Sequence, residues 1–222
     1  MEIIRKKVSL CIELRDALTN RSVSEQKVSI TVNGYRPIAH KEKKYYIFQI
    51  QQCSALKVCI TSENYEPKNL MLSIDGTKEG KVIDLCPDGW LLHMFHTPVL
   101  TILLPPGRAY PLMEGQIWKE FMVQSQEIIP VVKNPKHYFL LQEDYVEGDR
   151  IVFSIPEQEK CMFLQIEDAD KRENFLVIER DERGHCQLAA PLQRQYPKGS
   201  RIYEIYYVKA DAEGKAAGIQ YI

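Results

Sequence analysis

The chain has 222 residues, of which 45% are hydrophobic and 27% are charged, and its formal net charge at pH 7 is −1. This composition is ordinary for a globular protein, and the length suits two domains of about 100 residues each. Because the net charge is close to zero, no overall field draws the chain to nucleic acid, and we expect no nucleic-acid partner. No apolar run reaches the roughly 18 residues of a membrane helix, so we expect no membrane insertion.

The first residues do not resemble an export signal. The basic residues Arg5 to Lys7 are followed by Val8 to Leu14, which alternate between apolar and polar side chains. A secretory signal would place an apolar run of about 7–15 residues there. We therefore expect a cytoplasmic protein, which can still be incorporated into a particle that is later released. The six cysteines form no C-x-x-C pair, which favours small buried side chains over a disulfide framework.

In the first half, short segments alternate apolar and polar residues, as half-buried strands do. Turn sequences such as Asn33-Gly34 separate them, and no helical apolar period is present. This pattern predicts a β-sandwich over residues 1–108, ended by Pro105-Pro106-Gly107. The predicted strands are Val8–Leu14, Val28–Val32, Tyr46–Ile50, Leu56–Ile60, Leu70–Ile74, Val82–Leu85 and Val99–Leu104.

The second half, residues 109–222, also has strand patterns and contains an internal echo. Asp144–Ile151 resembles Gln195–Ile202: each segment has a Tyr three residues before a Gly, and each ends in Arg-Ile. A glycine at such a corner permits a positive φ, and two matching corners favour a small β-barrel over two unrelated turns. The segment from Asp211 to Gly218 is small and polar, which predicts a flexible C-terminal tail.

The sequence offers little catalytic chemistry. It contains no phosphate-binding glycine loop and no nucleophile elbow. His93 and His96 form an H-x-x-H pair, but a metal would need further ligands such as Cys86 or Asp88. The pair of His185 and Cys186 lacks a marked third partner. We therefore predict no catalytic residue, no cofactor and no metal ion, and we expect that the protein is not an enzyme.

Three acidic residues, Glu167, Asp168 and Asp170, lie close together just before Lys171 and Arg172. A turn between two strands explains this group, and calcium binding is the alternative, although the EF-hand spacing and its glycine are absent.

Aromatic residues near the last predicted strand are candidates for a binding surface. Tyr203 and Tyr207 share one face of that strand, Tyr206 lies on the other face, and Tyr196 precedes them. Tyrosine is common at interfaces because it buries a large area while keeping a polar tip. We name these four residues as the candidate interface, with burial of the same side chains in the core as the alternative.

Three segments of the first half carry a family resemblance. Leu14–Val23 is similar to the D-x-x-T-G-x-x-V turn of carboxypeptidase-regulatory-like, transthyretin-like sandwiches, with Asn20 in place of the usual Gly. Tyr45–Phe48 resembles the aromatic strand of that family, and Val58–Pro67 resembles its V-x-V-x-S-x-x-Y-x-P element. The resemblance covers residues 8–104 and implies a sandwich fold. It specifies no function, because such domains serve as added modules in many proteins.

The following segments resemble parts of phage-tail-like contractile injection systems. Leu103–Leu112 is similar to a P-x-x-x-Y-P-F junction that follows such a sandwich in small accessory proteins of these systems. The region 139–203 is similar to small β-barrel modules of tail and baseplate proteins, with Ala190-Pro191-Leu192 and Lys198-Gly199-Ser200 in its last part. This resemblance implies assembly with other protein subunits and no catalytic residues.

Three functional hypotheses follow. The first is a structural subunit of a contractile injection or phage-tail-like particle, with other protein subunits as partners and a homo-oligomer as one possible form. The second is a stand-alone module that binds carbohydrate or a surface ligand through exposed aromatic residues such as Tyr203 or Tyr207. The third is a metal-dependent enzyme that uses His93 and His96.

Overall fold

The computed structural model shows a chain of two compact units, Met1–Pro111 and Leu112–Ile222. Every regular element of the described residues is a β-strand, which confirms the all-β class and the expected lack of long helices in this part of the chain. The boundary follows Pro111, whereas the sequence predicts it after Arg108. The described residues are 10–23, 28–41, 44–50, 55–73, 83–86, 89–94, 97–149, 151–154, 162–180 and 185–222.

In the first unit the described strands form two sheets that enclose one core. One sheet has the order β3-β4-β1-β9-β8-β7, and the other has the order β2-β5-β6. The strands are β1 (Leu10–Asp16), β2 (Val28–Val32), β3 (Ala39–Lys41), β4 (Tyr45–Phe48), β5 (Ala55–Ser62), β6 (Lys68–Ser73), β7 (Ile83–Cys86), β8 (Gly89–Met94) and β9 (Thr97–Leu104).

Alternation along the strands builds this core. In β5, Leu56, Val58 and Ile60 are buried and the intervening residues are exposed or half-buried, as the sequence pattern predicts. Ile12 of β1 and Ile102 of β9 bring the larger sheet into the same apolar cluster. Since both sheets contribute inward faces to one core, the first unit is a β-sandwich.

A buried carboxylate, Asp16, joins three segments of the first unit at one corner. Its Oδ1 atom accepts hydrogen bonds from the backbone N–H groups of Leu18 (2.7 Å) and Thr19 (2.8 Å). Its Oδ2 atom accepts hydrogen bonds from the hydroxyl groups of Tyr65 (2.9 Å) and Tyr110 (2.6 Å). Two of the three segments that carry the family resemblance, Leu14–Val23 and Val58–Pro67, therefore meet the junction segment Leu103–Leu112 at this side chain.

The backbone around this corner is closely packed. Asn20 has a φ of 57°, the left-handed conformation expected where the motif usually has Gly. Gly107 donates its backbone N–H to Asn64 O at 2.8 Å. A Cβ atom on Gly107 would lie 2.8 Å from the carbonyl carbon of Tyr65, so only glycine fits here without a shift. Pro105-Pro106-Gly107 is thus part of the first unit, which ends at Pro111. The hydrogen bond of Tyr110 to Asp16 holds the last residues of this unit in place.

The second unit contains a long sheet and a two-stranded ribbon. The long sheet has the order β11-β17-β14-β15-β16-β13, with β12 also paired to β17, and the ribbon pairs β10 with β18. The strands are β10 (Gln116–Met122), β11 (Ile128–Val132), β12 (Phe139–Leu140), β13 (Ile151–Ser154), β14 (Met162–Asp168), β15 (Lys171–Arg180), β16 (His185–Leu188), β17 (Arg201–Lys209) and β18 (Lys215–Tyr221).

The internal echo corresponds to two equivalent turns that face each other. Gly148 and Gly199 have φ values of 93° and 90°, which confirms the predicted left-handed corners. Tyr145 and Tyr196 pair through two backbone hydrogen bonds, of 2.8 Å and 3.2 Å. Within the described residues β13 pairs only with β16, so closure of the sheet into a barrel stays a prediction.

The predicted flexible tail is corrected by the structure. Residues 211–218 form a turn and the first part of β18, which pairs with β10 over seven positions from Gln116↔Tyr221 to Met122↔Lys215. Asp211 stabilises the turn, because its Oδ1 atom accepts hydrogen bonds from the backbone N–H groups of Glu213 (3.0 Å) and Lys215 (2.8 Å). Small residues suit this strand, since Ala216 and the neighbouring Ile219 are buried. Polar composition alone therefore misidentified a paired strand.

Candidate binding site

The four tyrosines of the predicted interface lie mostly inside the second unit. Tyr196 and Tyr206 are fully buried, at 1% and 0% exposure, and Tyr203 is buried at 8%. Tyr207 is half-buried and meets Phe163 edge-on, with 5.2 Å between the ring centroids. The described surface of the unit thus offers no open platform made of these rings, and the hypothesis of ligand binding through Tyr203 or Tyr207 loses its support.

Each buried tyrosine has a structural role. The hydroxyl of Tyr206 donates to Ile219 O at 3.0 Å and also accepts the backbone N–H of Ile219, which fastens β18 to β17. Tyr203 packs beside Tyr138 at 5.8 Å between centroids. Burial, together with the nearby Glu173 carboxylate, raises the pKa of Tyr196 to about 12. The Tyr196 hydroxyl therefore stays protonated at neutral pH.

A groove of about 320 Å³ lies between the ribbon and one face of the long sheet in the second unit. Lys119 and Phe121 of β10 and Gln220 of β18 form the ribbon side. The sheet side comes from β11, β14 and β15, through Pro130, Val131, Val132, Gln165, Arg172 and Asn174. The volume lies at the lower end of the range of about 300–1,000 Å³ for small-molecule sites.

Side-chain amides line the floor of this groove. Gln165 and Asn174 are directly opposed in the register of β14 and β15, and Gln165 Nε2 donates to Asn174 Oδ1 at 2.7 Å. Gln165 is only 3% exposed, which is unusual for an amide side chain on the outer face of a strand pair. Gln220 donates from Nε2 to Val132 O at 3.0 Å. These hydrogen bonds hold the amide groups in place.

Two cationic side chains lie on the groove walls. The Lys119 ammonium lies 5.5 Å from the centroid of the Phe121 ring, a cation–π arrangement. Arg172 is paired at 3.3 Å with Glu167, which is not a lining residue, and the Arg172 side chain is 60% exposed. No carboxylate is among the described residues that line the groove. The wall therefore presents positive charge and hydrogen-bonding groups together.

The other predicted positions have simpler outcomes. His93 lies on β8, and His96 lies outside the described residues, so the H-x-x-H hypothesis remains a hypothesis. Glu167 and Asp168 end β14, and Asp170 lies in the turn before β15, as predicted for a turn between two strands. In the described ranges, no group of three or more His, Cys, Asp or Glu residues could hold a metal ion.

Cys186 is 1% exposed and packs in the apolar core of the second unit, as expected for a small buried side chain.

The groove was missed at the sequence level because its two walls are distant in the chain. Gln165 is a single polar residue in an apolar strand, Phe163 to Ile166, and nothing in the pattern marks it as more than a surface position. The opposite wall depends on β18, which the composition predicts as a flexible tail. The burial of Gln165, which would have indicated a site, is visible only in the structure.

Comparisons with known proteins identify no relative: no family model matches the chain, and no curated protein matches it. No helix in the part of the chain that the structure describes combines the length and apolarity needed to cross a membrane.

Proposed function

We propose that this protein is a non-enzymatic structural subunit that assembles with other proteins into a phage-tail-like contractile particle. The proposal rests on the resemblance of its segments to accessory proteins of such particles. The junction segment that carries part of this resemblance is packed onto the sandwich, because Tyr110 donates a hydrogen bond to Asp16. A structural subunit needs stable, independently packed β modules and surfaces for neighbours, and both units have their own apolar core.

The structural observation that favours contact with other subunits is a set of exposed apolar residues at one end of the ribbon, which we call the ribbon end. It comprises Leu112, Met113, Ile117 and Ile222, which are 44%, 50%, 40% and 65% exposed. Backbone hydrogen bonds group them: Gln116 N donates to Met113 O, and Ile222 N donates to Gly115 O at 2.9 Å. Exposed apolar side chains that lie together mark interaction sites more often than scattered ones do.

The test is recovery of the tagged chain from its native cells, followed by electron microscopy of the material that comes with it. We expect tubes, sheaths or baseplates in the recovered material, and defective particles when the gene is deleted. Recovery of the chain alone, with normal particles after deletion, would overturn the proposal.

A further inference from the structure

We propose that the groove of the second unit binds an acidic saccharide, meaning a sugar that carries a carboxylate. This binding role goes beyond assembly and does not depend on it. It also lies away from the tyrosines that the sequence indicated, at residues Gln165, Asn174, Gln220, Lys119, Arg172 and Phe121.

The amide groups suit sugar hydroxyls. A sugar hydroxyl donates one hydrogen bond and accepts others, so it is matched by a site with fixed donors and acceptors side by side. Gln165 Oε1 is an acceptor and Asn174 Nδ2 is a donor, and the 2.7 Å bond between their side chains fixes both groups. Because Gln165 is only 3% exposed, its amide group cannot turn freely to solvent. A ligand hydroxyl therefore meets a rigid pair of polar groups.

The charge selects an acidic sugar over a neutral one. Lys119 and Arg172 contribute two positive charges, and no described lining residue contributes a negative one. Arg172 already pairs with Glu167 at 3.3 Å, but the Arg172 side chain is 60% exposed, and a pair at the surface contributes little free energy, so a ligand carboxylate can compete for the guanidinium. A guanidinium binds a carboxylate in a two-point geometry that neutral hydroxyls do not provide.

The volume and the aromatic wall limit the ligand to a small unit. The cavity of about 320 Å³ suits one or two sugar rings rather than a folded polypeptide surface. Phe121 provides a ring against which the C–H face of a sugar can pack, and Lys119 lies over the same ring. An acidic mono- or disaccharide uses all these features, whereas inorganic phosphate would use only the cations.

The first experiment is a titration of the full chain, labelled with ¹⁵N, with glucuronate, galacturonate and N-acetylneuraminate. Neutral glucose and galactose and inorganic phosphate serve as the comparison ligands. We expect shifts in the side-chain amide signals of Gln165, Asn174 and Gln220 with at least one acidic sugar, and weaker or no shifts with the neutral sugars. If no acidic sugar shifts these signals at millimolar concentration, or if phosphate shifts them equally well, the proposal is wrong.

Variants then locate the binding. Arg172→Gln and Lys119→Gln remove exposed cations of the groove, and Lys171→Gln removes the exposed cation next to Arg172 on the same strand but outside the groove. We expect the affinity for the acidic sugar to fall roughly tenfold or more in each of these two groove variants and to stay unchanged in Lys171→Gln. Asn174→Asp keeps the acceptor for Gln165 but adds a negative charge, so we expect it to weaken acidic-sugar binding most. Equal affinity in all four variants would overturn the assignment.

Discussion

Asp16 shows how one side chain organises a corner of the first unit. A buried carboxylate is unfavourable unless hydrogen bonds replace its lost hydration. Here each oxygen accepts two such bonds, one pair from backbone N–H groups and one pair from tyrosine hydroxyls. Because bonds to a charged acceptor are stronger than neutral ones, this residue holds the turn, the Tyr65 segment and the Tyr110 junction together.

We predict that Asp16→Asn lowers the free energy of unfolding by about 2–4 kcal/mol. The variant retains one acceptor for the turn, but its amide nitrogen cannot accept the protons of Tyr65 and Tyr110. Chemical denaturation measures the change. The control is Asp170→Asn, at an exposed turn position, which should change stability by less than about 0.5 kcal/mol. An equal effect in both variants would contradict the role assigned to Asp16.

The same corner predicts a loss of stability at high pH. Burial, and then the neighbouring Asp16 charge and hydrogen bond, raise the pKa of Tyr65 above its ordinary value of 10.0. As pH rises, the Tyr65 hydroxyl therefore loses its proton in the unfolded chain before it does so in the folded chain. The stabilisation that comes from the Tyr65 hydroxyl is complete below about pH 10 and is lost as pH rises toward the folded-state pKa.

This pH effect is measured by urea denaturation of wild type and Tyr65→Phe at about pH 9 and about pH 11. We expect a larger fall in the unfolding free energy for wild type than for the variant, because phenylalanine does not titrate. Parallel losses in the two proteins would show that Tyr65 has no part in the alkaline response.

At the scale of elements, glycines serve two different needs. Gly148 and Gly199 have positive φ values and open space around the missing Cβ atom, so they meet a backbone requirement. Gly107 meets a packing requirement, because its Cβ would contact the Tyr65 backbone at 2.8 Å. The echo in the sequence reveals the first need, whereas no local pattern reveals the second.

These two needs predict different losses on substitution by alanine. We expect Gly148→Ala and Gly199→Ala to cost about 1–2 kcal/mol each from backbone strain, and to be similar because the turns are equivalent. Gly107→Ala should destabilise the chain more, since backbone atoms of a second segment must move. Thermal or chemical unfolding of the three variants measures the order. A neutral Gly107→Ala variant would contradict the close packing of the corner.

Alternation in the sequence predicts strands that have one solvated face, and it fails where both faces are covered. The strand β5 follows the rule, with Leu56, Val58 and Ile60 inward. The strand β17 lies between β14 on one side and β11 with β12 on the other, and both of its faces are largely buried. The interface role predicted for its tyrosines could not be judged from the pattern, because the pattern does not show what covers the second face.

Strands without a clear apolar–polar alternation are the other elements that sequence patterns missed. In the first half the predicted strands omit β3 and β8, and in the second half the first part of β18 lies in the segment predicted as a tail. These segments are stabilised by pairing with distant partners, such as Lys215↔Met122 in the ribbon, rather than by their own apolar period. The groove could not be predicted for the same reason, since it exists only once β10 and β18 have paired.

At the scale of the whole molecule, two units with separate cores predict separate folding. The core of the first unit contains side chains such as Ile12 and Ile102, and the core of the second contains Leu164 and Ile202. Tyr110, which donates a hydrogen bond to Asp16, belongs to the first unit, so a division after Pro111 leaves that hydrogen bond intact. We infer that each unit holds the contacts it needs to fold.

We therefore predict that a fragment of residues 112–222 folds alone. Its ¹H–¹⁵N spectrum should be well dispersed, as expected for a folded β domain. A collapsed spectrum would contradict the independence of the second unit.

Matched double variants test most directly the proposed contact between the ribbon end and other subunits of a particle. Met113→Lys with Ile117→Lys places charge on the ribbon end. Met71→Lys with Ile38→Lys places the same charges on exposed positions of the first unit, where the side chains are 69% and 44% exposed. Both variants are first checked for a native spectrum. We predict that the ribbon-end variant is lost from particles purified from native cells while the control is incorporated normally. Normal incorporation of the ribbon-end variant would contradict the account.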